Sequence, residues 1–90
     1  LPKKYPSLTL SEVKQILKFR GFELANTTGS HAQYSKTVNG VSYKVTVDLA
    51  ENEFYEFLLQ SMIRQSGLSR VEFYCSTKST AKKINHKFNK

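Results

Sequence analysis

Asn39-Gly40 constrains the fold of this chain more than any other two residues. The sequence alternates on both sides of it. Ala32 and Tyr34 recur at every second position before it, and Val41, Tyr43, Val45 and Val47 after it, with polar residues between. A type I′ turn needs positive φ at both central positions, which asparagine and glycine accept, so the dipeptide predicts a two-residue hairpin. Loop length fixes register. Val38 then opposes Val41, Ser35 opposes Lys44, Tyr34 opposes Val45, Gln33 opposes Thr46, and His31 opposes Asp48. This register keeps the apolar set on one face. His31, Gln33 and Ser35 share the other face with Lys44, Thr46 and Asp48.

The rest of the chain is read outward from that hairpin. Residues 1–7, with Pro2 and Pro6 as breakers, form an irregular arm. Thr9 and Glu12 make a T-x-x-E capping box, and Leu10, Val13, Ile16 and Leu17 follow at helical spacing up to a stop at Gly21. Phe22 to Asn26 alternates as a first strand, and Thr27-Thr28-Gly29 turns the chain into a second strand, His31 to Thr37. After the third strand, Val41 to Asp48, Asn52 is the expected cap of a second helix. That helix carries a core stripe of Tyr55, Leu58, Leu59, Met62 and Ile63, widened by Phe54 and Phe57. Arg64 and Gly67 close it. Ser69 and Glu72 form a second capping box, which predicts a short third helix. Ala81, Ile84 and Phe88 share one weak apolar face, enough for a conditional helix. The order predicts an α+β two-layer sandwich, α-β-β-β-α, with a three-stranded antiparallel sheet, both helices on one face and a short C-terminal helical appendix. The domain spans residues 8–75, followed by a basic tail over 76–90.

Ninety residues are enough for one domain with its own core. No apolar run is long enough to span a membrane, and there is no signal-peptide pattern, so no membrane partner is expected. Cys75 has no partner for a disulfide, and no Cys/His spacing suggests zinc, so no metal and no cofactor is expected. A cytoplasmic chain fits this pattern best. Because it begins at Leu1 rather than methionine, it reads as a piece of a slightly longer product. The net charge of +7 is unevenly placed. Between Ser7 and Cys75, seven basic residues balance seven acidic ones. The excess is Lys3 and Lys4 at the front and Lys78, Lys82, Lys83, Lys87 and Lys90 at the back. Basic flanks attract polyanions, RNA among them, and also serve as solubilising tails.

His31 is the best candidate for acid–base chemistry, because imidazole titrates near neutral pH and this one follows a glycine-serine turn on the polar face. Gly29, Ser30 and Asp48 are its candidate supports. If Asp48 opposes it, directly paired side chains lie close enough for a carboxylate to hydrogen-bond the ring and fix its tautomer. As a general base on a ribose 2′-hydroxyl, or a general acid on the leaving oxygen, His31 would need groups to hold phosphate. The candidates are Lys44, which could stabilise the charge on the phosphorane, and Gln33, Ser35 and Lys36 on the sheet. Lys78, Lys82 and Lys83 in the tail add affinity. An exposed strand histidine is also common as plain surface. A non-catalytic RNA-binding module and a protein-interaction domain of the same fold are therefore the alternatives to an enzyme.

Several stretches together resemble the HicA family of bacterial toxins. They are Leu8-Thr9-x-x-Glu12-Val13 opening the first helix, Gly21-Phe22 at its end, Gly29-Ser30-His31 with Tyr34 three residues on, and Leu59-x-x-Met62-Ile63-Arg64-Gln65-x-Gly67-Leu68-Ser69. The resemblance runs from about Leu8 to Phe73. It implies a double-stranded-RNA-binding-domain-like fold and mRNA cleavage without a metal. It also implies a catalytic histidine at His31 and neutralisation by a HicB-like antitoxin. The chain departs from the family in two places. Val47-Asp48-Leu49-Ala50 stands where a Val-Pro-x-His-like stretch is common, ahead of a short acidic link. On the first strand, Glu23, Ala25 and Asn26 replace basic residues.

Overall fold

The computed structural model describes residues 5–84. In order they form β1 (Leu8–Thr9), α1 (Leu10–Phe19), β2 (Glu23–Thr28), β3 (His31–Val38), β4 (Val41–Asp48), β5 (Glu53–Phe54), α2 (Glu56–Ser66), α3 (Arg70–Tyr74) and α4 (Lys78–Lys83). Strands β2, β3 and β4 make an antiparallel sheet in that spatial order, and β1 pairs with β5 in a separate two-stranded ribbon. This is the α+β arrangement expected from the sequence, with the short C-terminal helix in place. Phe88 and the lysines at positions 3, 4, 87 and 90 lie outside the described residues.

The hairpin register is the one the Asn39-Gly40 turn dictates, from Val38 opposite Val41 to His31 opposite Asp48. Asn39 and Gly40 both take positive φ, 51° and 81°, as a type I′ turn requires. The β2–β3 connection is equally tight. Thr28 opposes His31 across Gly29-Ser30, with Gly29 at φ 60°. On the apolar side Val45 and Val47 are fully buried against Val13, Ile16 and Leu17 of α1 and Leu59, Met62 and Ile63 of α2. Both capping boxes form. The Glu12 N–H donates to Thr9 Oγ1 at 3.2 Å and the Glu72 N–H to Ser69 Oγ at 3.1 Å, with each glutamate returning the bond. Burial pushes the Glu12 carboxyl upward, but the Thr9 N–H and Lys83 outweigh it and hold it below the usual carboxylate range.

Five expectations are corrected. The first strand is shifted to Glu23–Thr28 and carries a bulge at Ala25, between the pairs Leu24–Tyr34 and Asn26–Gln33. The extra residue reverses the alternation. Asn26 and Thr28 therefore join the polar face, and Leu24 is left exposed at the sheet margin. Asn52 does not cap α2. Its carbonyl accepts the Leu10 N–H at 3.1 Å, and the next residues pair with β1. The helix instead starts at Glu56 behind Tyr55, without a side-chain cap. The predicted core stripe is too wide, since Phe57 is 82% exposed and Tyr55 63%. Val41, assigned to the apolar face, is half-exposed at the hairpin tip. Lastly, the weak face at Ala81 and Ile84 is fully part of the core, with both side chains buried on α4.

Candidate active site

The polar face of the sheet is built in rows across the three strands. The first row is Thr28, His31 and Asp48, the second Asn26, Gln33 and Thr46, and the third Glu23, Ser35 and Lys44. His31 is exposed at the start of β3, where the Gly29-Ser30 turn delivers it. The Ser30 carbonyl accepts the Leu49 N–H at 2.6 Å, which ties that turn to the end of β4. Sequence reasoning thus places His31 and Asp48 correctly as neighbours. The imidazole–carboxylate bond expected of them is not formed, however. Asp48 Oδ1 accepts the Ala50 N–H at 3.0 Å, an Asx turn that directs the chain out of β4. Among the described residues the His31 side chain has no hydrogen-bond or ion-pair partner.

The sequence reading left out the contribution of α2. This helix lies along the free edge of β4, where Gln65 Oε1 accepts the outward-pointing Thr46 N–H at 3.1 Å. The bond occupies part of an edge that would otherwise offer unpaired backbone donors. Between strand edge and helix is a cavity of about 220 Å³, lined by His31, Thr46, Asp48, Glu51, Phe54, Leu58, Ser61, Met62 and Gln65. Glu51, expected at a helix start, is instead part of the cavity wall. Ser61 and Gln65 stand four residues apart on one helical face. A polar pair at that spacing beside an apolar stripe was the available signal for them.

The other candidates divide by face. Gln33 and Ser35 lie half-buried on the polar face beside His31, and Lys44 is exposed on it. Two rows separate Lys44 from the His31–Asp48 row, roughly 14 Å at strand rise. Lys44 therefore stands apart from His31 along the sheet rather than beside it. Lys36 is on the opposite face. Its Nζ donates to the Arg20 carbonyl at 2.8 Å and sits 5.2 Å from the Phe22 ring centroid, tying β3 to the end of α1. Lys78, Lys82 and Lys83 belong to α4, whose buried residues share the core with α1, away from the polar face. Lys83 is engaged there, 2.9 Å from Glu12 Oε1 and 3.2 Å from the Ser7 carbonyl.

Two carboxylates and no lysine or arginine line the cavity. Among the described residues no cluster of three or more His, Cys, Asp or Glu side chains could hold a metal ion, and no helix is long and apolar enough to cross a membrane. The family model described as HicA toxin of bacterial toxin-antitoxin matches residues 10–68, which take in α1, the whole sheet, His31 and α2. No curated protein and no solved structure matches the chain.

Proposed function

This chain belongs to the HicA toxin family of bacterial toxin–antitoxin pairs, and we propose that it is an mRNA endoribonuclease whose catalytic residue is His31. The family implies an antitoxin partner. The observation that carries the enzymatic reading is the position of His31. It is the one imidazole in the matched segment, exposed on the polar sheet face and lining a cavity, with its ring uncommitted among the described residues.

The chemistry is that of a phosphodiester next to a ribose hydroxyl. His31 takes the proton of the 2′-hydroxyl as that oxygen attacks phosphorus, or returns a proton to the departing 5′-oxygen. A positioned imidazole adds roughly 10²–10⁴-fold in either role. Gln33 and Ser35, on the same face, hold phosphate oxygens in this reading, and Lys44 holds the charge of the next phosphate. With one histidine doing acid–base work and no cation in the cavity, turnover is slow. No step in this scheme requires a metal.

The test is cleavage of a defined mRNA by the purified protein in the presence of a chelator, beside His31→Ala. Loss of cleavage in the variant, with thermal stability within about 0.5 kcal/mol of the parent, is expected. A folded His31→Ala protein that still cleaves would remove His31 from the mechanism.

A further inference from the structure

We infer that the cavity beside His31 receives the edge of a single adenine or cytosine base, and so selects the nucleotide at the cleaved bond. The inference rests on the endoribonuclease reading for its link to cleavage, but the binding itself stands on the cavity's own chemistry.

Size is the first constraint. At about 10–15 Å³ of cavity space per water, a cavity of about 220 Å³ is ample for one planar base. Charge is the second. Asp48 and Glu51 line the cavity without a facing cation, which repels a phosphate and favours a neutral group that carries hydrogen-bond donors. Surface is the third. Phe54, Leu58 and Met62 give apolar walls, the kind of surface against which an unstacked base packs.

Polarity then narrows the base. The Gln65 amide is oriented by the Thr46 N–H, which takes Oε1 at 3.1 Å, so the end left for a ligand is the Nε2 donor. Glu51 has no side-chain hydrogen bond among the described residues, and Asp48 has committed only Oδ1, so carboxylate acceptors in the lining remain available. The cavity therefore offers carboxylate acceptors together with one amide donor. Adenine and cytosine complement that set with an exocyclic amine beside an unprotonated ring nitrogen. Uracil presents a carbonyl and an N–H at those places, which would set its carbonyl against a carboxylate. A carboxylate accepting from the cytosine amine is an established readout pair, and a good two-bond pair discriminates by roughly ten- to a hundredfold.

Cytosine against uracil is the clean comparison, because the rings stack alike and differ at this edge. Labelled oligocytidylate and oligouridylate of equal length are titrated into the full chain carrying His31→Ala, so that cleavage does not interfere. Expected is at least about tenfold tighter binding of the cytidylate. Gln65→Glu keeps an oxygen for the Thr46 N–H and turns the donor into an acceptor, and Glu51→Gln removes a carboxylate. Each should shrink the preference to about twofold or less while leaving the circular-dichroism spectrum unchanged. Equal binding of the two oligonucleotides, binding of neither, or a preference that survives both substitutions would overturn the base pocket. Cleavage by the unsubstituted protein is scored separately. A cytidylate preference without cleavage leaves the pocket standing and removes the endoribonuclease, and cleavage without preference does the reverse.

Discussion

Gly67 and Gly40 hold nearly the same backbone conformation, φ 79° and 81°, but what lies in front of them differs. A Cβ on Gly40 would meet nothing within 4 Å, whereas one on Gly67 would stand 2.5 Å from Cε1 of Tyr43. Gly40→Ala therefore carries the cost of positive φ alone, about 1 kcal/mol. Gly67→Ala adds a collision between the end of α2 and the sheet, for a total of roughly 2–4 kcal/mol. Urea denaturation of the two variants checks this, and equal losses would mean that the Tyr43 ring moves aside freely. At this scale the sequence was legible where one local rule decided the outcome. The Asn-Gly turn, the two capping boxes and the αL stop at Gly67 are all of that kind. His31 and Asp48 were found as neighbours because register follows from the turn. Their missing hydrogen bond was not legible, because the Ala50 N–H that takes Asp48 Oδ1 depends on how the chain leaves the strand. Lys36 shows the limit of charge as a guide, since alternation from His31 puts it on the apolar side.

Among the elements, α1 and the hairpin follow directly from periodicity, while the segment between β4 and α2 does not. Glu53-Phe54 is too short to show any period, and its partner Leu8-Thr9 is more than forty residues away in sequence. The pairing of β1 with β5 takes residues that would otherwise extend α2, so the helix begins at Glu56. The apolar run around it is not one stripe. At 3.6 residues per turn, Phe57 lies about 200° around the helix from Leu59, which is why one is 82% exposed and the other 2%. Phe57→Ser should change stability by no more than about 0.5 kcal/mol, against about 2–5 kcal/mol for Leu59→Ala. Comparable losses from the two would restore the wide stripe. The same phase turns Ser61 and Gln65 toward β4, so the cavity arises from the packing of a helix on a strand edge. Neither element shows it alone.

In the whole molecule the two ends of the described chain meet on the helix side of the sheet. The Tyr74 hydroxyl donates to the Pro6 carbonyl, Arg70 stands 4.9 Å over the Tyr5 ring, and Lys83 reaches Glu12 and the Ser7 carbonyl. Ser76, Thr80, Ala81 and Ile84 are buried, so removing everything from Ser76 onward tests folding before it tests RNA binding. Lys78→Ala with Lys82→Ala is the cleaner probe, since both side chains are exposed. If each holds a phosphate, the log–log salt slope for single-stranded RNA should fall by about 1.4 in total, and an unchanged slope means that α4 does not touch RNA. Tyr74 gives the junction a pH dependence. Burial pushes its hydroxyl up to about 12, whereas in the unfolded chain a tyrosine titrates near 10. Between those values the folded protein keeps a proton that the unfolded chain has lost. The contribution is therefore complete below about pH 10 and is lost as the pH rises through about 12. Tyr74→Phe removes the bond to Pro6, costing about 1 kcal/mol near neutral pH, and also removes the group that titrates. The parent's urea midpoint should therefore fall toward that of the variant and then below it as the pH is raised from about 9 to about 12. A gap that stays constant across that range would mean that the hydroxyl ionises as readily in the folded protein as in the unfolded chain.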